Sequence, residues 1–303
     1  MYEDFFQFKQ LPFENNPDPR FFYDSEQHRE ALAAIEYTIR LRKGIVLITG
    51  EIGSGKTTIG RTMLSRCGDQ TTIAQIVHAH ADRADLIAHV LRAIGVTPPE
   101  GASHARLLET LQDVLIEHAR QRRPVVLFVD EAQNLTDQSL EELRLISNFD
   151  TNTIKLLQLV LVGQPELRDR IASPKLLALR QRIVLAKQLR AMNRRDTGAY
   201  IDHRIRAASL DPDQIFVEFD DSAKDEVFSY ARGTPRLINV VCDNALLMSY
   251  VRESTRVSAD IVRAVIDDML PSFGEPVVRP VSARTEWTAP RVGTRSWDTS
   301  LTL

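Results

Sequence analysis

Cysteine is almost missing from this sequence of 303 residues: only Cys67 and Cys242 occur. They stand far apart and outside any CxxC spacing, which excludes a disulfide framework and fits a reducing compartment. No apolar run approaches the roughly 20 residues that a membrane-spanning helix needs. The longest such runs, residues 45–49 and 156–162, have the length of a strand. The first 20 residues carry acids and prolines and contain no apolar signal-peptide core. The expectation is a cytoplasmic chain that is neither exported nor inserted directly into a membrane. Neither charge is in excess: 38 basic side chains face 41 acidic ones, a net charge of −3. A polycation is thereby excluded, and any nucleic-acid contact has to come from a local patch. What is present is ordinary for a globular protein, with 43% hydrophobic and 26% charged residues. The length allows two modest domains.

Residues 1–24 are dense in aromatics and proline, among them Phe5, Phe6, Phe8, Phe13, Phe21, Phe22 and Tyr23. X-Pro units exclude a long helix, and so many aromatics do not stay solvated, so this segment reads as a strap packed on the domain that follows. Ala31, Leu32, Ile35 and Ile39 recur at helical spacing over 25–42, with Ser25 as N-cap. Strand-like runs at 44–49, 71–77, 125–129, 156–162 and 183–185 then alternate with helical stretches at 56–67, 84–94, 104–120, 137–149, 165–172 and 174–178. Continuously apolar strands alternating with helices predict an α/β fold, a parallel sheet covered on both faces, over residues 25–189. After Leu189 the strands stop. Helical patterns at 193–208, 222–231, 235–252 and 258–269 predict a smaller all-helical domain over 190–270. Residues 271–303 are rich in Pro, Ser, Thr and Arg without periodicity and read as a disordered tail; Trp287 and Trp297 within it offer docking points.

Gly50-Glu51-Ile52-Gly53-Ser54-Gly55-Lys56-Thr57, followed by Thr58, matches GxxxxGK[ST] between a strand and a helix, the context this phosphate loop requires. Glycines let the loop fold into a nest of N–H groups, and the helix beginning near Lys56 adds the positive end of its dipole. Lys56 supplies a cation to the β- and γ-phosphates, and Thr57 a hydroxyl to Mg²⁺. The bland alternative, a glycine turn, leaves the Lys and Thr unexplained. The run 125–129 ends abruptly in Asp130 and Glu131, and open α/β sheets do chemistry at the carboxyl ends of their strands. Asp130 there would hold Mg²⁺ through its water shell, and Glu131 would polarise an attacking water as general base. The other reading of this pair, a cap on the next turn, loses ground downstream of a loop that needs a metal ligand. Gln164, after the next strand, stands where a γ-phosphate or water would be sensed; a plain turn residue before Pro165 is its other reading. The expected ligands are ATP and Mg²⁺.

At this point the chain resembles the AAA+ ATPases typified by general secretion pathway protein A, the ExeA-like group, relatives of the transposition ATPases and the origin-recognition initiators. The resemblance runs from Met1 to about Asp268. Its carriers include Tyr2 to Phe6, Leu11-Pro12-Phe13, Asn16-Pro17-Asp18-Pro19, Tyr23-Asp24-Ser25 with His28, the phosphate loop, Asp130-Glu131-Ala132-Gln133-Asn134-Leu135, Gly163-Gln164-Pro165-Glu166-Leu167, Leu179-Arg180-Gln181-Arg182-Ile183, and Gly233-Thr234-Pro235-Arg236 with Ile238-Asn239. The resemblance implies that 190–270 is a lid on the ATPase domain, that Gln164 is the first sensor, and that Arg236 is the second, reaching the γ-phosphate of its own subunit. It also implies an arginine finger at Arg182, with Arg180 as the other choice, acting on a neighbouring subunit; without the family, the two arginines read as a solvated surface pair. A homo-oligomer, ring or filament, with sites between subunits follows. The strap would line the adenine site, with Phe13 and Pro19 as candidates.

There are departures. Secretion-type members continue into a membrane span and a peptidoglycan-binding region, and this chain is expected to do neither. His78 and His80 fall where such ATPases often have a polar residue gating the catalytic Glu; an HxH pair also suggests a metal, for which no third ligand is evident. Arg120, Arg122 and Arg123, and Arg190, Arg194, Arg195, Arg204 and Arg206 farther on, form basic clusters that read either as DNA contacts or as solvated faces. The first reading of function is an ATPase that drives assembly of a secretion, pilus or exopolysaccharide system through a protein partner. The alternatives are an ATP-dependent DNA-binding regulator of transposition and a nucleotide-gated scaffold with negligible hydrolysis.

Overall fold

The computed structural model describes residues 1–16, 18–67, 71–76, 83–151 and 154–273. His78, His80, Trp287, Trp297 and the tail from residue 274 lie outside these. The elements in chain order are α1 (Tyr2–Phe5), α2 (Glu26–Arg40), β1 (Ile45–Gly50), α3 (Lys56–Arg66), β2 (Thr72–Ile76), α4 (Arg83–Ala93), α5 (His104–Arg120), β3 (Val125–Val129), α6 (Asp137–Ile146), β4 (Leu157–Gly163), α7 (Pro165–Ala172), α8 (Leu177–Arg180) and β5 (Ile183–Leu189). The second unit holds α9 (Arg194–Ala208), β6 (Glu218–Phe219), α10 (Asp221–Ala231), α11 (Pro235–Val251), β7 (Arg256–Val257) and α12 (Ala259–Phe273).

The large sheet is parallel, in the order β2-β3-β4-β1-β5. Successive side chains of a strand point to opposite faces, and the apolar runs therefore build two cores. Ile45, Leu47, Leu127, Leu159 and Leu161 pack with α4, α5 and α6 through Leu86, Leu111 and Leu143. Val46, Ile48, Val126, Phe128, Val160 and Val162 pack on the other face against Leu32, Ile35, Ile59 and Met63 of α2 and α3. Ser25 caps α2 as expected, its Oγ accepting from His28 N. Strand ends align: Thr49 of β1 pairs with Gly163 of β4, and Gly50 with Leu189 of β5. The polar residues that follow β1, β3 and β4 thus emerge at one edge.

Three expectations change. The strap packs on both units, mostly on the second: Phe22 joins the α/β core beside α2 and α3, and the rest of its buried aromatics go to the second unit. Tyr2, Phe6, Phe8, Phe13 and Phe21 share one core with Ile201, Ile205, Val241, Cys242 and Leu246. Lys9 N donates to Ala208 O (2.8 Å), Leu210 N to Gln7 O (2.9 Å), and the Tyr2 hydroxyl to Asp243 Oδ1 (2.5 Å). The physical reason is apolar demand: the sheet's faces are already covered by its own helices, whereas the second unit has an apolar flank for the strap to close. That unit is helical but not entirely so, because β6 and β7 pair in parallel; two-residue strands are too short to leave a period in sequence. Lastly, β5 runs on to Leu189, its half-exposed Lys187 and Gln188 hiding the apolar pattern of an edge strand, and α12 continues to Phe273. Among the described residues no helix is long and apolar enough to cross a membrane.

Candidate functional site

The loop after β1 turns at Gly53 (φ +77°) and Gly55 (φ +92°) and delivers Lys56 at the start of α3. A side chain at Gly53 has no room: its Cβ would stand 2.7 Å from Arg236 Cβ and 3.3 Å from Thr234 Cγ2. The loop is thus clasped by the N-terminus of α11, and Arg236 N donates to Gly53 O (3.4 Å). Lys56 is buried, and its Nζ donates to Gly50 O and Glu51 O, both at 2.8 Å. Burial lowers the Lys56 pKa, and the nearby Glu131 and Asp130 charges oppose that shift. Ser54 is buried, whereas Ile52 is exposed at the mouth of the cleft.

Asp130 follows β3 and is almost fully buried. Its Oδ2 accepts from Thr57 Oγ1 at 3.1 Å, and its Oδ1 from Glu131 N at 2.9 Å. A hydroxyl and a carboxylate at the mouth of a phosphate loop are hard oxygen donors of the kind Mg²⁺ takes, with phosphate oxygens and water completing its shell. Among the described residues there is no cluster of three His, Cys, Asp or Glu that would hold a metal by protein ligands alone. The HxH pair falls outside them. Glu131 has φ +50°, a left-handed conformation uncommon for a side chain of its size. Gln133 Nε2 donates to Glu131 Oε2, while Gln133 Oε1 accepts from Gln164 N at 3.0 Å. Gln164 itself is the N-cap residue of α7, with Pro165 in the first turn.

Lys56, Thr57, Thr58, Glu131, Gln164 and Arg236 line one cleft of about 610 Å³, a volume that accommodates a nucleotide. Its far wall comes from the strap and the second unit: Glu14, Asn15, Asn16, Tyr200, Arg204 and Asn239. Phe13 is not there; it is buried against Phe219, ring centroids 6.1 Å apart, and Pro19 is exposed and not among the lining residues. Tyr23, Phe21 and Phe22 instead line a smaller recess that meets the loop at Gly55 and Thr58. Arg180 and Arg182 are not brought to this cleft. Ile183, next to Arg182, pairs with Ile45 at the start of β1, and the loop follows the other end. At about 3.3 Å per residue the strand separates Arg182 from its own cleft by roughly 20 Å.

Sequence reasoning overlooked four features. His28 is buried, with Ser25 Oγ 2.7 Å from Nδ1 and a hydrogen bond to the backbone of Ser54, so α2 braces the phosphate loop. Burial lowers the pKa of His28. Arg204, read as part of a basic surface, is buried: it donates to Pro12 O, to Glu14 O (2.9 Å) and to the Tyr200 hydroxyl (3.1 Å), and lies 4.3 Å over the Phe21 ring. Tyr200 donates to Asn239 (2.9 Å), which donates to Asn15 (3.2 Å), so strap and second unit are joined along the cleft wall. Gln133 is the fourth; its place two residues after Glu131 was the available signal. Of the other arginines, Arg194 pairs with Asp225 and Arg120 with Glu117 (3.5 Å).

Residues 39–171 match the family described as AAA domain. General secretion pathway protein A of Aeromonas hydrophila is 36% identical over 257 residues, 85% of this chain and 46% of that protein. The chain thus spans about half the length of the curated relative it matches. Among solved structures, the Aeropyrum pernix ORC2 protein, in ADPNP–ADP complexes, superposes with a TM-score of 0.65 at 17% identity, covering 87% of this chain and 72% of that one. The Cdc6p structure from Pyrobaculum aerophilum gives 0.62 at 16% identity, over 83% and 70%. The RuvB Holliday junction branch migration motor of Thermotoga maritima gives 0.55 at 22% identity, over 86% and 74%. These three likenesses speak for the fold.

Proposed function

We propose, for a chain that belongs to the AAA+ P-loop ATPases and is related to general secretion pathway protein A, that it hydrolyses ATP in the cleft between loop and lid. The observation that carries this reading is the convergence there of Lys56, the Thr57–Asp130 pair, Glu131, Gln164 and Arg236. The backbone N–H groups of residues 51–58 receive the phosphates, and Lys56 exchanges its two carbonyl partners for β- and γ-phosphate oxygens. Thr57 and Asp130 would hold Mg²⁺, which when bound would supply charge neutralisation to the phosphates. Glu131 takes the proton of the attacking water as the bond from the γ-phosphorus to ADP breaks, yielding ADP and phosphate. Gln164 orients water or γ-phosphate, and Arg236 ties the lid to the same group.

Arg182, remote from its own cleft, serves the cleft of a neighbouring copy, with Arg180 as the other choice for this role. Hydrolysis thereby moves subunits in a ring or filament. The name of the secretion relative supports a role in a secretion pathway; a protein partner in an envelope or secretion system and a place on the cytoplasmic side complete this reading. The test is steady-state ATPase rate per subunit against protein concentration, for wild type, Glu131→Gln and Arg182→Ala. The rate climbs with concentration, Glu131→Gln abolishes it, and Arg182→Ala lowers it while nucleotide binding persists. Wild-type turnover by Glu131→Gln removes the assigned base. A concentration-independent rate removes the shared site, and stimulation by duplex DNA replaces the secretion partner by nucleic acid.

A further inference from the structure

We infer that Gln133 is a positioning residue of this site, whose single amide aims the Glu131 carboxylate and registers it against the Gln164 segment; this rests on the reading of Glu131 as base. Glu131 and Gln164 leave the ends of neighbouring strands β3 and β4, and no backbone bond joins them there. Gln133 does so with both ends of one side chain. Its Nε2 donates to Glu131 Oε2, and its Oε1 accepts Gln164 N at 3.0 Å.

The bridge is itself held. Gln133 lies in the 3₁₀ turn Ala132–Asn134, closed by Asn134 N donating to Glu131 O (2.9 Å). Arg170 of α7 clamps that turn, with Nη1 on Gln133 O (2.7 Å) and Nη2 on Leu135 O (2.8 Å) and on Asp137 Oδ1 (2.6 Å). Gly163 makes the approach possible. A Cβ there would lie 2.9 Å from Gln133 Oε1 and 3.3 Å from Gln133 N. A carboxylate at the cleft edge has free rotamers, and one oxygen fixed by an amide leaves the other to meet water at one angle. Misplacing a reacting group by about 1 Å costs on the order of 100-fold in rate.

Two variants test this. Gln133→Met keeps length and loses both bonds; Gln133→Glu keeps the acceptor for Gln164 N and sets a like charge against Glu131. The expected result for each is a fall in kcat of about 10- to 100-fold, with KM and the affinity for a fluorescent ATP analogue within about twofold of wild type. Wild-type kcat in Gln133→Met beside an inactive Glu131→Gln overturns the inference and leaves the ATPase reading standing. A loss of analogue affinity equal to the loss of kcat also overturns it, since the glutamine then merely supports the loop. A wild-type protein that binds the analogue and turns over no ATP overturns both.

Discussion

Arg204→Met offers a quantitative test of how strap, second unit and cleft are joined. The guanidinium is buried. It holds Pro12 O, Glu14 O and the Tyr200 hydroxyl, and it stacks on Phe21 at 4.3 Å. Methionine fills much of the same volume and offers no donor. A hydrogen bond to a charged group contributes about 1.5–3 kcal/mol net. Glu14 is exposed, so water replaces that donor at little cost. The bonds to Pro12 O and Tyr200, which are both buried, sum to about 3–6 kcal/mol. Methionine recovers about 1–2 kcal/mol through apolar burial. The expected net loss is about 1–5 kcal/mol, centred near 3 kcal/mol. With a urea slope near 3 kcal/mol/M, that lowers the midpoint followed by circular dichroism by about 1 M. Amide exchange should accelerate at Lys9 and Leu210, whose N–H groups bond across between strap and second unit. Arg204→Lys recovers little, because an ammonium cannot span three acceptors in one plane. A midpoint shift below about 0.3 M, with unchanged exchange in the strap, refutes the reasoning; burying the charge then costs as much as its bonds return.

Two further outcomes are expected. His28 is held below its ordinary pKa of 6.5 by burial, so below about pH 6.5 the unfolded chain takes a proton that the folded chain refuses. Stability therefore falls on acidification, by up to about 1.4 kcal/mol per pH unit, and is unaffected by this group at higher pH. His118 and His203 shift the same way, so the His28 share is the difference between wild type and His28→Gln in chemical denaturation at pH 7 and 5.5; parallel losses would remove it. Thr57→Val deletes the hydroxyl that faces Asp130. It should raise the Mg²⁺ concentration for half-maximal ATPase by about tenfold or more and alter unfolding by at most about 1 kcal/mol; an unchanged magnesium dependence takes Thr57 out of the metal site.

Much of the α/β domain was legible because its signals are local. A buried strand needs a continuous apolar run, and β3 (Val125–Val129) has one bounded by Pro124 and Asp130. The phosphate loop is legible for the same reason: its glycines, Lys56 and Thr57 act within one contiguous turn. The second unit was legible as helices from α9 to α12, while β6 and β7 left no period. The strap was legible as packed but not as packed on what, since aromatic content states a demand for burial and not the surface that meets it. Phe13 shows this, taken for an adenine neighbour and found against Phe219.

The sequence by itself determined the strand, glycine loop and helix from β1 to α3, the acids that end β3, and the alternation of strands and helices that builds a parallel sheet. Each follows from neighbours in the chain, through hydrophobic period, turn chemistry and helix starts. Only the tertiary structure decided that Arg236 closes on Gly53, that Gln133 spans Glu131 and Gln164, that Arg204 is a buried clasp, and that Arg182 stands at the far end of β5. Those relations join residues that are close in space through strand order and domain docking, and neither composition nor spacing encodes a distance between elements that meet only when the chain folds.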